Sequence, residues 1–217
     1  YSLLDTSLSN RYDNTYTTQN AGAALRFRDS VFNIMTEVSY QIADLDGEQV
    51  FPYSNTTSKT FYNILPSANL EYKFSETRNL HSHYRTSTRE PSITQLQNVV
   101  DNSNPLLLSS GNPDLKPAYT HFFMSRYSLT SADRTQSTFI MFNTNYTSNY
   151  IGNATVTSAT DTSLARGTQL TFPVNLDNYW NVRAFITHGF PVELIKSNIN
   201  LSSGYSYSKT PGLINNN

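Results

Sequence analysis

The sequence predicts an all-β fold, an antiparallel transmembrane β-barrel. Three observations carry this: apolar residues recur at every second position over stretches longer than a soluble strand needs, the connections alternate between short and long, and the chain is polar without being charged. In residues 61–74, Tyr62, Ile64, Pro66, Ala68, Leu70, Tyr72 and Phe74 alternate with Asn63, Leu65, Ser67, Asn69, Glu71 and Lys73. In residues 32–42, Phe32, Ile34, Thr36, Val38, Tyr40 and Ile42 alternate with Asn33, Met35, Glu37, Ser39 and Gln41. A soluble sandwich and a membrane barrel both produce such a dyad. Sandwich strands usually run about 5–6 residues, membrane-crossing strands about 9–11, and these runs fit the longer class.

Taken in order, the predicted strands are 1–8, 21–28, 31–43, 61–74, 78–87, 118–130, 135–147, 167–173, 179–189 and 197–208. A tight link at Asp29-Ser30 precedes the third, and a long link from Asp44 to Thr60 follows it. Ser75-Glu76-Thr77 is tight, Thr88 to Pro117 long, Ser131 to Arg134 short, Thr147 to Arg166 long and Asn175 to Asn178 short. Brief turns on one side and extended loops on the other are how an outer-membrane barrel faces periplasm and exterior. Residues 119–127 alternate without declaring a lipid face. In the last two strands, Trp180, Val182, Ala184 and Ile186, then Ile199, Leu201, Tyr205 and Tyr207, restore it. The expectation is about ten up-and-down strands in hairpin succession, a single barrel segment over residues 1–217 with no second domain.

Composition narrows the alternatives. Of 217 residues 14% are charged and 13% aromatic, and the net charge is −1, so no basic surface calls for nucleic acid. Apolar runs such as Phe139-Ile140-Met141-Phe142 are far shorter than the ~18–20 residues a membrane helix needs. With no cysteine there is no disulfide framework, thiolate metal site or cysteine nucleophile. The chain opens at Tyr1 without a charged and then apolar leader, so no signal peptide is expected, and the N-terminal part of a longer protein is expected to be missing.

Residues Tyr84 to Leu96 (Tyr-Arg-Thr-Ser-Thr-Arg-Glu-Pro-Ser-Ile-Thr-Gln-Leu), followed by Gly111-Asn112-Pro113-Asp114-Leu115-Lys116-Pro117, give the chain its resemblance to the barrel of TonB-dependent outer-membrane receptors. A strand ending near an Arg-x-Pro segment (Arg89, Pro91) leads into an extracellular loop that closes with Asn-Pro-x-Leu-x-Pro (Asn112, Pro113, Leu115, Pro117). Phe172-Pro173-Val174-Asn175-Leu176 and Tyr179-Trp180 are closer to the outer-membrane β-barrel proteins of Bacteroidetes. Resemblance covers residues 21–210. The family often carries an acidic residue where this chain has Ala118, which places it in a divergent branch. Such receptors have about 22 strands around a plugged lumen, so the chain resembles the middle part of a barrel, without plug domain or coupling segment. The resemblance implies energy-coupled uptake of a nutrient across the bacterial outer membrane, with no cofactor. Its implied partners are outer-membrane lipid, TonB through N-terminal parts, and a surface lipoprotein.

Each candidate site residue also has a plainer role. His81 and His83, two apart on a polar strand face continued by Arg85 and Arg89, form a candidate ligand-binding patch with Asn112 and Asp114. A wet lumenal face explains the histidines as well, since the spacing places no third metal ligand, and no metal site is expected. Asp44, Asp46 and Glu48 around Gly47 suggest Ca²⁺, but the glycine offset is wrong for an EF-hand loop. Arg89, Pro91, Asn112, Pro113, Leu115 and Pro117 read mainly as structural, because proline ends a ladder and Asn and Gly accept turns. Trp180, Tyr72, Phe74, Tyr127, Tyr205 and Tyr207 read as interfacial girdles. No nucleophile elbow, metalloprotease helix or phosphate loop is present, and no enzyme is expected. Loops 44–60, 88–117 and 147–166 would capture ligand, and Glu37, Glu71, Lys73, His81, His83 and Arg85 would face a plug. Two other classes compete: a non-transporting barrel for surface assembly, secretion or adhesion, and a soluble β-sandwich carbohydrate-binding module.

Overall fold

In the computed structural model, which describes residues 11–51, 54–97, 99–133 and 135–215, one antiparallel sheet dominates. Its eight strands are β1 (Arg11–Arg28), β2 (Phe32–Phe51), β3 (Asn55–Ser75), β4 (Arg78–Arg89), β6 (Ala118–Thr130), β7 (Ser137–Ser148), β10 (Tyr179–Val192) and β11 (Ser197–Lys209), in the order β1-β2-β3-β4-β6-β7-β10-β11. A second sheet is built inside the long connections from β5 (Leu107–Ser109), β8 (Tyr150–Thr157), β9 (Gln169–Leu176) and β12 (Leu213–Ile214). The fold is thus the expected partial antiparallel barrel wall. The strand predicted at 167–173 belongs to the second sheet, so β7 pairs directly with β10. The predicted strand 1–8 lies outside the described residues.

The turns between β1 and β2, β3 and β4, β6 and β7, and β10 and β11 fall at one end of the sheet, and the long connections from β4 to β6 and from β7 to β10 at the other, where the short link expected at 175–178 also lies, between β9 and β10. The first end is periplasmic and the second extracellular. Register keeps the two faces separate. Tyr40, Val38, Ile34 and Phe32 stand opposite Ile64, Pro66, Leu70 and Tyr72, and Tyr72 continues through Leu80 and Tyr127 to Ile140 and Ile186. This face is turned outward: Val38 is 54% exposed, Ile64 61% and Leu201 60%. Apolar side chains that stand clear of the protein in such rows face hydrocarbon, and a soluble sandwich, which would bury them, does not describe this chain.

Aromatics edge the outer face at both depths. At the extracellular level the rings of Tyr40 and Tyr62 lie 6.4 Å apart, and a belt runs through Tyr84, His121, Tyr146 and Trp180 with neighbouring centroids at 6.2, 5.9 and 4.6 Å. At the periplasmic level Phe27 stacks on Phe32 at 5.1 Å, and Phe74 meets Tyr72 and Tyr127 at 4.5 and 6.0 Å. With about 3.4 Å rise per residue and a tilt near 40°, Tyr62 to Tyr72 covers about 26 Å of depth, close to the apolar band of an outer-membrane barrel.

Above the upper belt the dyad inverts. Asp44, Asp46 and Glu48 continue the outward positions of β2, opposite Thr60, Ser58 and Thr56 of β3, with Thr60 Oγ1 donating to Asp44 Oδ1 at 2.7 Å. The inward positions Ala43, Leu45 and Gly47 become buried. The long link expected at 44–60 is therefore mostly a strand pair reaching into water, with its polar side out and its apolar side in. The three acidic residues lie along a strand instead of crowding a loop.

Onto that apolar side folds the connection from β4 to β6. Pro91 and Ile93 are fully buried, and Ile93 joins Leu45, Leu96, Leu115, Ala118 and Ile151 in the molecule's one cluster of buried apolar residues among those described, with Phe61 against it. Ser92 caps a single helical turn, α1 (Ile93–Leu96), and its capping box with Gln95 satisfies the first free amides. Gly47 is required by proximity, since a Cβ there would lie 2.1 Å from Ile93 Cδ1.

Two loop carboxylates are held by serines two residues on. Asp101 accepts from the Ser103 hydroxyl and amide, and Asp161 from the hydroxyl and amide of Ser163 at 2.7 and 2.9 Å, which lowers both pKa values below the ordinary aspartate range. A depressed carboxylate adds stability that is present above its unfolded pKa, near 4, and is lost as pH falls through the folded value. Hydrogen exchange should show the protection of the Ser103 and Ser163 amides declining below about pH 4, and D161N should flatten that decline at Ser163 alone.

Candidate functional site

Inner-face residues form rows across the strands. One row runs Arg85, Phe122, Asn145, Asn181; the next toward the periplasm His83, Met124, Asn143, Arg183; the third His81, Arg126, Met141, Phe185. The sequence expectation that His81, His83 and Arg85 share the lumenal face with Glu71 and Lys73 matches the register. His81 Nδ1 lies 3.7 Å from Glu71 Oε1, whose partner oxygen accepts from Asn33 Nδ2 at 3.1 Å, and Asn33 in turn accepts from Arg26 Nε at 3.0 Å. His83 Nδ1 hydrogen-bonds Asn69 Oδ1. The Arg85 guanidinium sits 5.2 Å over the Phe122 ring and that of Arg126 5.3 Å over Phe139, within reach of a cation–π attraction.

At the extracellular end of this wall lies a concavity of about 670 Å³. Phe122, Met124 and Met141 floor it, Asn143, Asn145, Asn181 and Arg183 stud it, and Arg89, Tyr150 and Tyr179 stand at its mouth. The Tyr150 and Tyr179 rings are stacked, 4.8 Å apart and 12° from parallel. Arg89 and Arg183 are its only charged residues. Apolar ground with a few convergent polar groups is the general form of a small-molecule site. Of the residues singled out in the sequence, Arg89 lines it and Arg85 adjoins it, whereas His81 and His83, level with Met141 and Arg183 but nearer the β3 side, do not line it. Asn143, Asn145, Asn181, Arg183, Tyr150 and Tyr179 escaped sequence reading, though the alternation in β7 and β10 already assigns the four strand-borne Asn and Arg residues to one face.

Asn112 and Asp114 are placed elsewhere, where the loop is anchored. Asn112 N donates to Gln95 O at 2.6 Å, its Nδ2 to Pro173 O at 3.0 Å, and its Oδ1 accepts from Asp114 N at 3.0 Å. Leu115 is buried, Pro113 exposed, and Pro117 leads into Ala118, which is 2% exposed. Asn175 was missed: its Oδ1 accepts from Lys116 N at 2.8 Å and its Nδ2 donates to Lys116 O and Asn149 O at 2.9 and 2.8 Å. This one amide ties three connections together. Asn175→Ala should cost about 1–3 kcal/mol, read as faster exchange at the Lys116 amide with the β2–β3 ladder unchanged. Among the described residues no group of three His, Asp or Glu side chains is arranged to hold a metal ion.

Solved structures share this fold at low sequence identity. They include the copper transporter OprC (TM-score 0.57, 12% identity, 91% of this chain and 30% of that chain) and the siderophore receptor PirA from Pseudomonas aeruginosa (TM-score 0.56, 10% identity, 93% and 44%). A third is the ferric enterobactin receptor PfeA from Pseudomonas aeruginosa in complex with enterobactin (TM-score 0.50, 11% identity, 92% and 36%). The chain therefore spans less than half the length of each. No curated protein matches its sequence. Residues 3–217 match the model of the outer membrane protein beta-barrel family, and the chain belongs to that family, whose barrels sit in the bacterial outer membrane.

Proposed function

We propose that this chain is part of the wall of a larger barrel that takes up a nutrient across the outer membrane by energy coupling, in the manner of TonB-dependent receptors. The observation that carries the proposal is the polar inner wall with a ligand-sized concavity at its extracellular end. Two further points support it. Among the described residues β1 and β11 are each paired on one side only, and an unpaired ladder cannot face hydrocarbon, so further strands complete the wall. The structures that share the fold and are named as a transporter or receptors are more than twice as long.

In this reading outer-membrane lipid meets the outward face, and Glu37, Glu71, Lys73, His81, His83 and Arg85 face a plug. TonB engages through N-terminal parts, and a surface lipoprotein is a candidate partner at the loops. Of the candidates His81, His83, Arg85, Arg89, Asn112 and Asp114, this reading gives ligand contact to Arg89, which lines the concavity, and to Arg85 beside it, with Asn112 and Asp114 in the loop anchor. The test is a deletion strain grown on limiting nutrients. Loss of the full-length gene should reproduce, for one nutrient, the growth defect caused by dissipating the energy supply to the outer membrane. If the purified full-length protein instead conducts ions as an open pore, or its deletion affects only adhesion or secretion, coupled uptake is the wrong function.

A further inference from the structure

The inner wall from β4 to β11 is electrostatically one-sided. Arg85 and Arg89 on β4, Arg126 on β6 and Arg183 on β10 all point inward, and among the described residues of these five strands no inward position holds Asp or Glu. The one close approach of a basic side-chain nitrogen to a carboxylate among the described residues, His81 Nδ1 to Glu71 Oε1 at 3.7 Å, lies on the β3–β4 seam. Charged residues on a protein surface normally alternate in sign, and four guanidiniums without a carboxylate make a field that concentrates anions in a concave space. Two of them, Arg89 and Arg183, are also the only charges of the concavity, on either side of Asn143, Asn145 and Asn181, whose amides donate to oxygen as readily as they accept.

We propose that this concavity binds a small polyanion bearing carboxylate or phosphate oxygens. Arg183 takes one oxygen pair by its planar fork, Arg89 closes over a second anionic group from the mouth, and the asparagines meet the remaining oxygens. The stacked Tyr150 and Tyr179 rings cover the ligand's less polar part at the rim. This rests on the uptake reading for its biological role, but the binding itself does not require transport. A volume of about 670 Å³ lies within the range of small-molecule sites, which favours a compact ligand over the acidic face of a folded domain as the counter-charge.

Calorimetry on the full-length protein in detergent, with citrate and inorganic pyrophosphate as probes and the neutral sugar maltotriose as comparison, tests the site. At least one anion should bind and maltotriose should not, with affinity falling as salt rises. Arg183→Gln should weaken binding about tenfold or more, and Arg183→Lys should restore part of it, since the charge returns without the fork. Arg126→Gln, lower on the same wall, should change binding far less. Saturable citrate binding separates a carboxylate ligand from a phosphate one, and either supports the site. If neither anion binds, or R183Q leaves binding unchanged while lowering the thermal stability of the full-length protein, the arginines serve a protein partner and the site is refuted. Binding without energy-dependent uptake would remove the uptake reading and leave the site standing; uptake that is indifferent to R183Q would do the reverse.

Discussion

Arginine at Val38 is expected to destabilise the protein by about 2–4 kcal/mol in a phospholipid bilayer, while arginine at its neighbour Glu37 costs about 0–1 kcal/mol. Val38 stands opposite Pro66 and Ala23 about midway between the two aromatic belts, with 54% of its surface clear of the protein. A guanidinium there must either enter hydrocarbon or thin the bilayer around it. Glu37 points to the opposite face, where water and the polar wall solvate a cation. Reversible folding of the two variants in lipid vesicles at matched urea concentrations checks this. The contrast between adjacent residues is the informative quantity, because both substitutions alter strand propensity similarly. Equal costs at the two positions would mean that the faces are not distinct.

The second large effect is expected at Ile93. Its side chain is 1% exposed and fills the space above Gly47, between Leu45, Leu96 and Leu115. Ile93→Ala removes buried methylenes from a cluster with few other members, at a cost of about 2–5 kcal/mol. The loss should fall on the docking of residues 90–117, since the ladders of β2, β3 and β4 do not depend on that side chain. Limited proteolysis should therefore cleave the variant between residues 97 and 110, leaving the membrane-embedded strands intact. Gly47→Val should give the same pattern from the other side of the contact, by pushing Ile93 out. Resistance of both variants to cleavage would show that the loop is held by its hydrogen bonds alone, through Asn112 and Asn175.

What the sequence makes legible follows from which force shapes each element. Where lipid meets one face and a wet interior the other, the period of two is enforced residue by residue, and β4, β6, β7, β10 and β11 fall within a few residues of the strands read from the alternation. In β6 the outward row contains His121 and Ser125 alongside Tyr119, Phe123 and Tyr127, which are interfacial or hydroxyl-bearing, so the pattern stays faint although the strand is regular. Above the membrane the rule reverses, and Asp44, Asp46 and Glu48 look like a loop only if the outward side is assumed to stay apolar. Of the second sheet only β9 was legible, as the strand predicted at 167–173. Residues 150–157 alternate weakly because both their faces meet protein or water, and β5 and β12 are ladders of three and two residues set in place by distant partners, Gln169 to Thr171 and Ala154 to Thr155. For the site, the motif residues were visible as a motif but not as an anchor. Pro91, Asn112 and Leu115 turn out to hold the loop, while the concavity draws on β7 and β10, four of whose contributors are ordinary-looking Asn and Arg residues that only register brings side by side.

Residues 1–217 contain no cysteine to interfere with the decisive measurement. Single cysteines introduced at each position from 62 to 73 and carrying a nitroxide label can be read in lipid bilayers by their accessibility to oxygen, which partitions into hydrocarbon, and to a water-soluble nickel chelate. Ile64, Pro66, Ala68 and Leu70 should favour oxygen and Leu65, Ser67, Asn69 and Glu71 the chelate, alternating without a break. Labels at Ile64 and Leu70 shielded from both reagents, or an alternation of the opposite phase, would contradict the assignment of that face to the membrane.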